Sequence, residues 1–389
     1  MFTSPALPHC FTPEHEAFRS TVRAFVDREI APFCTEWDEA GTFPRDLYRK
    51  AAAIGLLGIG YDEKYGGTPA DTFFHIIGAE ELARTGCGGV AASLKSHFIG
   101  LPPVARYGSE ALKDRVIPPV LAGERIAALA VTEPGGGSDV AALKTTAVRD
   151  GDHYVIQGEK TFITSGMRAD FFTVAVRTDR ANKGAGGISA LLVEGDRPGL
   201  SRTELKKMGW WASDTAHLRF DGVRVPASNL LGRENEGFKV FMHNFNMERL
   251  VMAAGACMHA QVCTEEALAW ARERHTFGEA LVNRQVIRHK LADMAMQVEA
   301  ARSFIYELAW RLDNNNGDKA DLVARTCMAK ILATQAMQHC AGQAVQILGG
   351  MGFMRGTKAE RVYREVKVMM IGGGSEEVLK DLIARQLEF

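Results

Sequence analysis

The chain has 389 residues, more than one simple core accommodates, so two or three domains are expected. Apolar residues make up 46% and charged residues 24%, with a formal net charge of −1. That balance gives no bulk electrostatic footing for nucleic acid or an anionic membrane, and no stretch approaches the apolar length of a membrane span.

The opening MFTSPALPHCFTPEHEAFR has no apolar run behind a basic head, so no signal peptide is expected and a cytoplasmic location is the reading, with a mature mitochondrial matrix protein as the other. From Thr12 to about Ala122 the pattern is helical. Thr12 suits an N-cap and Pro13 the first helical position. Three residues on stands His15, so a full capping box is not expected, although Glu14 and Glu16 favour the positive end of the dipole. Apolar-periodic segments follow at Pro44 to Ile54, Ala70 to Ala83, Val90 to Phe98 and Glu110 to Leu121. Near Ile126 the texture changes. TTAVRDGDHYVIQGEKTFIT alternates around an Asp150-Gly151 hairpin signal, and FFTVAVRT, ISALLVEG and AHLRFDGVRVP are short strand-like runs. From Gly237 the helices return: Phe238 to about Arg274, Asn283 to Asn314, Lys319 to Leu348 and Ser375 to Gln386, which suits an antiparallel bundle. The seven cysteines are scattered and never form CxxC; they read as reduced thiols, and no metal site is expected.

Four stretches carry chemistry, each with an ordinary reading beside the functional one. In VTEPGGGSD (131–139) three glycines free the backbone to approach a ligand beside the Thr132 and Ser138 hydroxyls, or simply form a turn. In GEKTFITSG (158–166) Phe162 and Thr164 share a strand face and suit a flat ring with a polar edge, or a core strand. In WARERHTFGEAL (270–281) Arg274 suits a phosphate or a helix C-terminus. In QILGGMGF (346–353) Gly349-Gly350 end a helix. No GxGxxG or GxxxxGK[ST] supports a Rossmann site or a P-loop.

Taken in order, VTEPGGGSD, GEKTFITSG, KKMGWWASDTAHLRFDGVRVP, ERHTFG, QILGGMGF and IGGGSEEVLKDLIARQ make the chain resemble the acyl-CoA dehydrogenase family over essentially its whole length, nearest in motif to the isovaleryl-CoA and long-chain branches. The resemblance implies an α+β fold: an N-terminal helical domain (1–125), a middle β-barrel domain (126–238) and a C-terminal four-helix bundle (239–389). It implies FAD, with the isoalloxazine lined by Leu129, Ala130, Val131, Thr132, Gly137 and Ser138 and, along its other edge, by Phe162, Ile163 and Thr164. Arg274, Phe277, Gln285, Gln346, Gly349 and Gly350 would meet the pyrophosphate and adenosine of a neighbouring subunit's cofactor, so a homotetramer is implied. Ser375 and Glu377 would touch the cofactor near the substrate. The implied reaction takes an acyl-CoA thioester to the trans-2-enoyl-CoA, with electron-transfer flavoprotein as acceptor. A flavin-binding but silent homologue and an acyl-CoA oxidase are the alternatives.

Many relatives carry the catalytic glutamate in a loop reading IYEGT, where this chain has Ile371-Gly372-Gly373-Gly374-Ser375. The seat is Gly373, whose N–H could still meet the thioester carbonyl. A substitute stands in FMHNFNMERLVMAAGA (241–256), where Phe241, Phe245, Glu248, Met252 and Gly255 step by four, three, four and three. A carboxylate on that stripe is a buried ion pair, with Arg249 or another arginine, or a base. The isovaleryl-CoA and long-chain branches lack the loop glutamate and carry the base in an ERL segment on this helix, here Glu248-Arg249-Leu250, which makes Glu248 the catalytic candidate. By the same resemblance Ser138, Asn246, Arg249, Gly373 and Gly374 are substrate contacts; Asn246 stands where relatives often carry Asp. The helices around EELARTGCGGVAASLKSH (80–97) are expected to close the acyl tunnel, with Gly86, Gly88 and Gly89 marking either space or close packing. Long-chain and branched acyl groups are both expected.

Overall fold

A computed structural model of the chain describes residues 10–182 and 184–389; of the amino terminus read above for a signal peptide, residues 1–9 lie outside it. Thr12 caps α1 (Pro13–Glu29), and the capping box is present after all. Thr12 Oγ1 accepts the His15 N–H at 3.4 Å while His15 Nδ1 accepts the Thr12 N–H at 3.0 Å, so an imidazole does what a glutamate usually does. Then come α2 (Cys34–Ala40), α3 (Asp46–Ala53), α4 (Thr72–Ala83), α5 (Gly88–Leu94), α6 (His97–Gly100), α7 (Pro102–Tyr107) and α8 (Glu110–Leu121). The periodic run expected from Val90 to Phe98 is therefore two helices, broken at Lys95 and Ser96. The glycines before it mark close packing. A Cβ at Gly88 would stand 2.6 Å from Glu365 Oε2 and Trp210 Nε1, and one at Gly89 would stand 3.1 Å from the Ser213 nitrogen.

Eight strands follow: β1 (Ala127–Ala130), β2 (Thr146–Asp150), β3 (His153–Thr164), β4 (Phe171–Arg177), β5 (Ile188–Glu194), β6 (Leu200–Glu204), β7 (Thr215–Pro226) and β8 (Leu230–Leu231). The β2–β3 hairpin closes on the Asp150–His153 pair, with Gly151 at φ +62°. The sheet order is β6-β7-β3-β2-β4-β5-β8, with β1 on β4. This corrects the barrel expected above: the sheet is open. Its two wings meet at the single Thr146–Arg177 pair, and the two-residue β8 pairs only with β5 and never reaches β6. One shared core fills the space between the wings, with Tyr154, Ile156, Phe220 and Val223 on one side and Phe172, Val174, Leu191 and Val193 on the other. The opposite face of β4 and β5 packs Ala175, Ile188, Ala190 and Leu192 against Val116, Ile117 and Val120 of α8, so these strands are apolar on both faces.

The carboxyl-terminal part comprises α9 (Gly237–Met242), α10 (Phe245–Glu273), a small hairpin β9 (His275–Thr276) and β10 (Glu279–Ala280), α11 (Gln285–Asp313), α12 (Lys319–Leu348), α13 (Gly350–Phe353), α14 (Lys358–Ile371) and α15 (Glu376–Gln386). The helix expected to run unbroken from Phe238 is interrupted at His243–Asn244, where the Asn244 side-chain amide donates to the Phe98 carbonyl at 3.1 Å. Alanines 253, 254, 256, 329, 333 and 336 share the core between α10 and α12. The sequence pattern hid α14, because its buried face mixes Val362, Val366 and Met369 with Glu360, Arg361 and Glu365. Glu360 pairs with Arg364 of the same helix, Arg361 and Arg364 reach Asp38 at 3.7 and 2.8 Å, and Glu365 accepts the Gly88 N–H at 2.9 Å. All seven cysteines are buried free thiols. Among the described residues no helix is long and apolar enough to cross a membrane.

One glycine matters for the site. A Cβ on Gly100 of α6 would stand 2.8–3.0 Å from the backbone of Ala128 in β1. Backbone cannot step aside as a side-chain tip does, so Gly100→Ala is expected to cost about 1–3 kcal/mol in denaturant-unfolding stability.

Candidate active site

The glycine-rich loop leaves β1 and turns at once. Glu133 and Gly136 exchange backbone hydrogen bonds of 3.2 and 3.1 Å, which leaves Pro134 to Ser138 exposed. What fixes this loop is a residue pair that the sequence reading missed. The Glu133 carboxylate accepts the Lys144 and Thr145 N–H groups at 2.6 and 2.8 Å and the Lys160 ammonium at 2.8 Å; Lys160 also donates to the Val131 carbonyl at 3.0 Å. Burial works against both charges, but the Lys160 ammonium and the N–H donors hold Glu133 below its ordinary value. Burial brings Lys160 down to about 8, so the pair is charged at neutral pH. The Thr161 N–H donates to the Thr132 carbonyl at 2.9 Å. VTEPGGGSD and GEKTFITSG are thus tied into one wall. Glutamate and lysine stand 27 positions apart, and nothing short of the strand register reveals that they meet.

Next to Lys160 the β3–β7 pairing slips, leaving Thr161 and Phe162 as a bulge. Phe162 takes φ +60° and stands 69% exposed, beside the buried Ile163 and the half-buried Thr164. Leu129 and Thr132 are half-buried and Ala130 and Val131 buried. The backbone here holds an aromatic side chain out of the core in a left-handed state.

A second set gathers at the far end of the bundle. Arg274 caps α10, Gln285 opens α11, Gln346 lies in the last turn of α12 with Gly349 as its cap, and Gly350 opens α13; all are exposed. Phe277 and Gly278 form the tight turn between β9 and β10, with both φ values positive, and Phe277 is 98% exposed.

The third set lies at the opposite end of α10. The break at Asn244 puts Glu248 in the first turn of that helix. The residue retains partial exposure, but its Oε2 is shut from solvent and has no hydrogen-bond partner. Among the described residues it is in no ion pair. Arg249 turns elsewhere: Nε donates to the Gly373 carbonyl at 2.9 Å and Nη1 to Asn246 Oδ1 at 3.2 Å. Burial pushes the Glu248 carboxyl up to about 7, against the pull of Arg249 and then Lys330. Lys330, also missed in the sequence, donates to the Met370 and Gly374 carbonyls at 2.8 and 2.9 Å and so pins both sides of the IGGGS loop. Its only signal was a lysine inside the small, apolar run CMAKILATQAM.

Gly373 holds φ +67°, and a Cβ there would stand 3.0 Å from Met252 Sδ. Met252 follows Glu248 by one turn, so the loop glycine packs against the stretch of α10 that bears the glutamate. Gly374, at φ +108°, is crowded by Leu379 at 2.9 Å. Half-buried Ser375 is the N-cap residue of α15, and Glu377 lies exposed in its first turn. Ser138 lies on the exposed glycine loop and Asn246 on the first turn of α10.

The models described as acyl-CoA dehydrogenase N-terminal, middle and C-terminal domains match residues 12–124, 128–223 and 235–388. The chain belongs to the acyl-CoA dehydrogenase family. It is 38% identical to the mitochondrial long-chain specific acyl-CoA dehydrogenase of Rattus norvegicus, over 99% of this chain and 89% of that one. It is 37% identical to the short-chain specific enzyme of the same animal, over 96% and 90%. A crystal structure of a probable acyl-CoA dehydrogenase from Mycobacterium abscessus superposes with a TM-score of 0.93 at 47% identity, covering 97% of this chain and all of that one. As a member of this family the chain is an FAD-dependent oxidoreductase acting on acyl-CoA thioesters. The tied loop–strand wall, with Phe162 standing free, fits a flavin ring.

Two measurements check this geometry. Lys160→Met strands a buried carboxylate, so the variant is expected to lose about 3–5 kcal/mol in denaturant unfolding, and to release FAD on dilution. Because Glu248 is raised by the fold, its penalty is absent where it is protonated in both states, below about pH 4.5, and is complete above about pH 7. Glu248→Gln should therefore gain stability over wild type between pH 5 and pH 8, on the order of 2 kcal/mol by denaturant midpoint.

Proposed function

We propose that Glu248 is the base that removes the α-proton of the acyl thioester, and that the long- or branched-chain acyl-CoA esters are its preferred substrates. The observation that carries the first part is the unpartnered Oε2 of Glu248, shut from solvent one helical turn from Met252, against which the glycine loop packs. A base for a weakly acidic C–H needs a carboxylate whose proton affinity is raised towards neutral pH, which burial supplies. The proton lost from the α-carbon goes to Glu248 while the β-carbon loses a hydride, and the double bond forms between them. Bound FAD supplies the two-electron acceptor for that hydride. The Gly373 N–H is the proposed donor to the thioester carbonyl, where charge develops as the proton leaves. Arg249 and Lys330 occupy the loop's carbonyls, which holds the loop against Met252 and Glu248.

Space for the acyl group is supported by Gly255, seven residues beyond Glu248 on the same face, where an added Cβ would meet nothing within 4 Å. Ser138 and Asn246 are the proposed polar contacts of the CoA arm. The 29 residues of α10 span about 43 Å at a rise of ~1.5 Å per residue. A single dinucleotide cannot stretch from Glu248 to Arg274, Phe277, Gln285, Gln346, Gly349 and Gly350. That separation, together with the bare Phe277, supports the proposal that this end meets the FAD of a neighbouring subunit in a homotetramer, while Leu129 to Thr132, Gly137, Ser138, Phe162 to Thr164, Ser375 and Glu377 serve the chain's own flavin. Electron-transfer flavoprotein is the proposed acceptor on grounds of family.

Glu248→Gln is expected to retain FAD and CoA-ester binding while kcat falls about 10²-fold or more. In the wild type, kcat/KM is expected to rise about tenfold per pH unit below pH 7 and then level off, because only the ionised carboxyl accepts the proton. Near-normal flavin bleaching by the variant under anaerobic conditions would remove Glu248 from the reaction.

A further inference from the structure

Lys95, at the carboxyl end of α5, is partly buried, and among the described residues its ammonium has neither a carboxylate nor a hydrogen-bond acceptor. It stands 5.5 Å from the centre of the Phe98 ring. Around the same ring lie His75 at 5.5 Å, His97 at 4.4 Å and Tyr61 at 6.5 Å. His97 is accounted for, since its two nitrogens meet the Leu94 and Leu57 carbonyls at 3.1 and 2.9 Å. The others are not. The Tyr61 hydroxyl and His75 Nδ1 are both shut from solvent without a partner. Burial lowers Lys95 to about 7 and keeps His75 and His97 at about 4, so near neutral pH the histidines are neutral and Lys95 is the one of the three that can carry a positive charge.

Three polar groups thus flank one aromatic ring, and among the described residues the Tyr61 hydroxyl and His75 Nδ1 have no hydrogen-bond partner while the Lys95 ammonium meets only the ring face. Folded proteins rarely leave such groups unmatched, and a desolvated ammonium is the most costly of them. A carboxylate has about four lone-pair sites and accepts from an ammonium, a phenol and an imidazole N–H together. The cluster is also tied through two hydrogen bonds to the first turn of the helix that bears the proposed base. The Phe98 carbonyl accepts the Asn244 amide at 3.1 Å, and the Asn244 carbonyl accepts the Glu248 N–H at 3.2 Å.

We propose that Lys95, with Tyr61 and His75, is an anion subsite for the far end of the acyl chain, so that the substrate is the CoA thioester of a dicarboxylic acid. This rests on the dehydrogenase reading above. A methyl-ended acyl chain leaves all three donors unmatched, whereas a terminal carboxylate satisfies them. Sites built to hydrogen-bond a substrate group discriminate strongly against the analogue that lacks it.

The test uses holoenzyme, wild type and Lys95→Met, with matched pairs of plain and ω-carboxyacyl-CoA esters of equal carbon number. Anaerobic flavin bleaching gives kcat/KM, and calorimetry on the Glu248→Gln background gives affinity without turnover. The wild type is expected to prefer the carboxylated ester by on the order of 10²-fold, and Lys95→Met to erase that preference in both measurements. Lys95→Arg, which keeps the charge, is expected to restore part of it. Equal ester ratios in wild type and Lys95→Met, or a wild-type preference for the plain ester, would overturn the subsite. Tight binding of free adipate that Lys95→Met abolishes, without ester discrimination, would assign the anion to a free acid and overturn the substrate assignment. If no ester bleaches the flavin, the dehydrogenase reading falls, while calorimetry still decides the subsite.

Discussion

A carboxyl group with one oxygen shut from solvent and without a hydrogen-bond partner is the feature on which the proposed active site turns. Glu248 feels opposing influences. Its place in the first turn of α10 and the nearby cations Arg249 and Lys330 favour the ionised form, while burial favours the neutral one and prevails, leaving the group near pH 7. That balance depends on the two cations being occupied elsewhere. Arg249 is spent on the Gly373 carbonyl and Lys330 on those of Met370 and Gly374. Had either closed on Glu248 as a salt bridge, the carboxyl would be a weak base locked in place.

The contrast with Glu133 makes the point sharper. Both glutamates are withdrawn from solvent, but Glu133 has Lys160 and two N–H donors and falls below its ordinary value. Its task is to hold the glycine loop to the bulged end of β3, where Phe162 is kept outward in a left-handed backbone state. The satisfied pair ties the loop to the strand, whereas the unpartnered group is the one proposed as the base. Lys95 belongs with Glu248 in this respect, since it too is sheltered and unmatched.

The open sheet and the broken helix serve the same end. The wings of the sheet meet at one residue pair with a shared core between them, α6 packs Gly100 against β1, and the Phe98 carbonyl accepts the Asn244 amide. The interruption that Asn244 makes is what turns a mid-helix glutamate into a first-turn one.

Much of this was open to inspection in the order of residues alone. Periodicity of 3.6 and 2 located most helices and strands, because local backbone preference and one-sided burial act over a few neighbouring residues. Six motifs in series assigned the family, and through that resemblance the glycine at 373 and ERL at 248–250 singled out the glutamate proposed as the base. What needed the folded chain was every contact made across a long sequence separation: the Glu133–Lys160 pair, the Lys330 pin beneath the loop, the charged face of α14 and the failure of the sheet to close. Those depend on which groups are brought together after burial, and a linear pattern holds the identity of each group but not its distance from the others. The same limit applied to Glu248 itself: periodicity put it on a stripe, but only packing could decide whether Arg249 would pair with it or turn away.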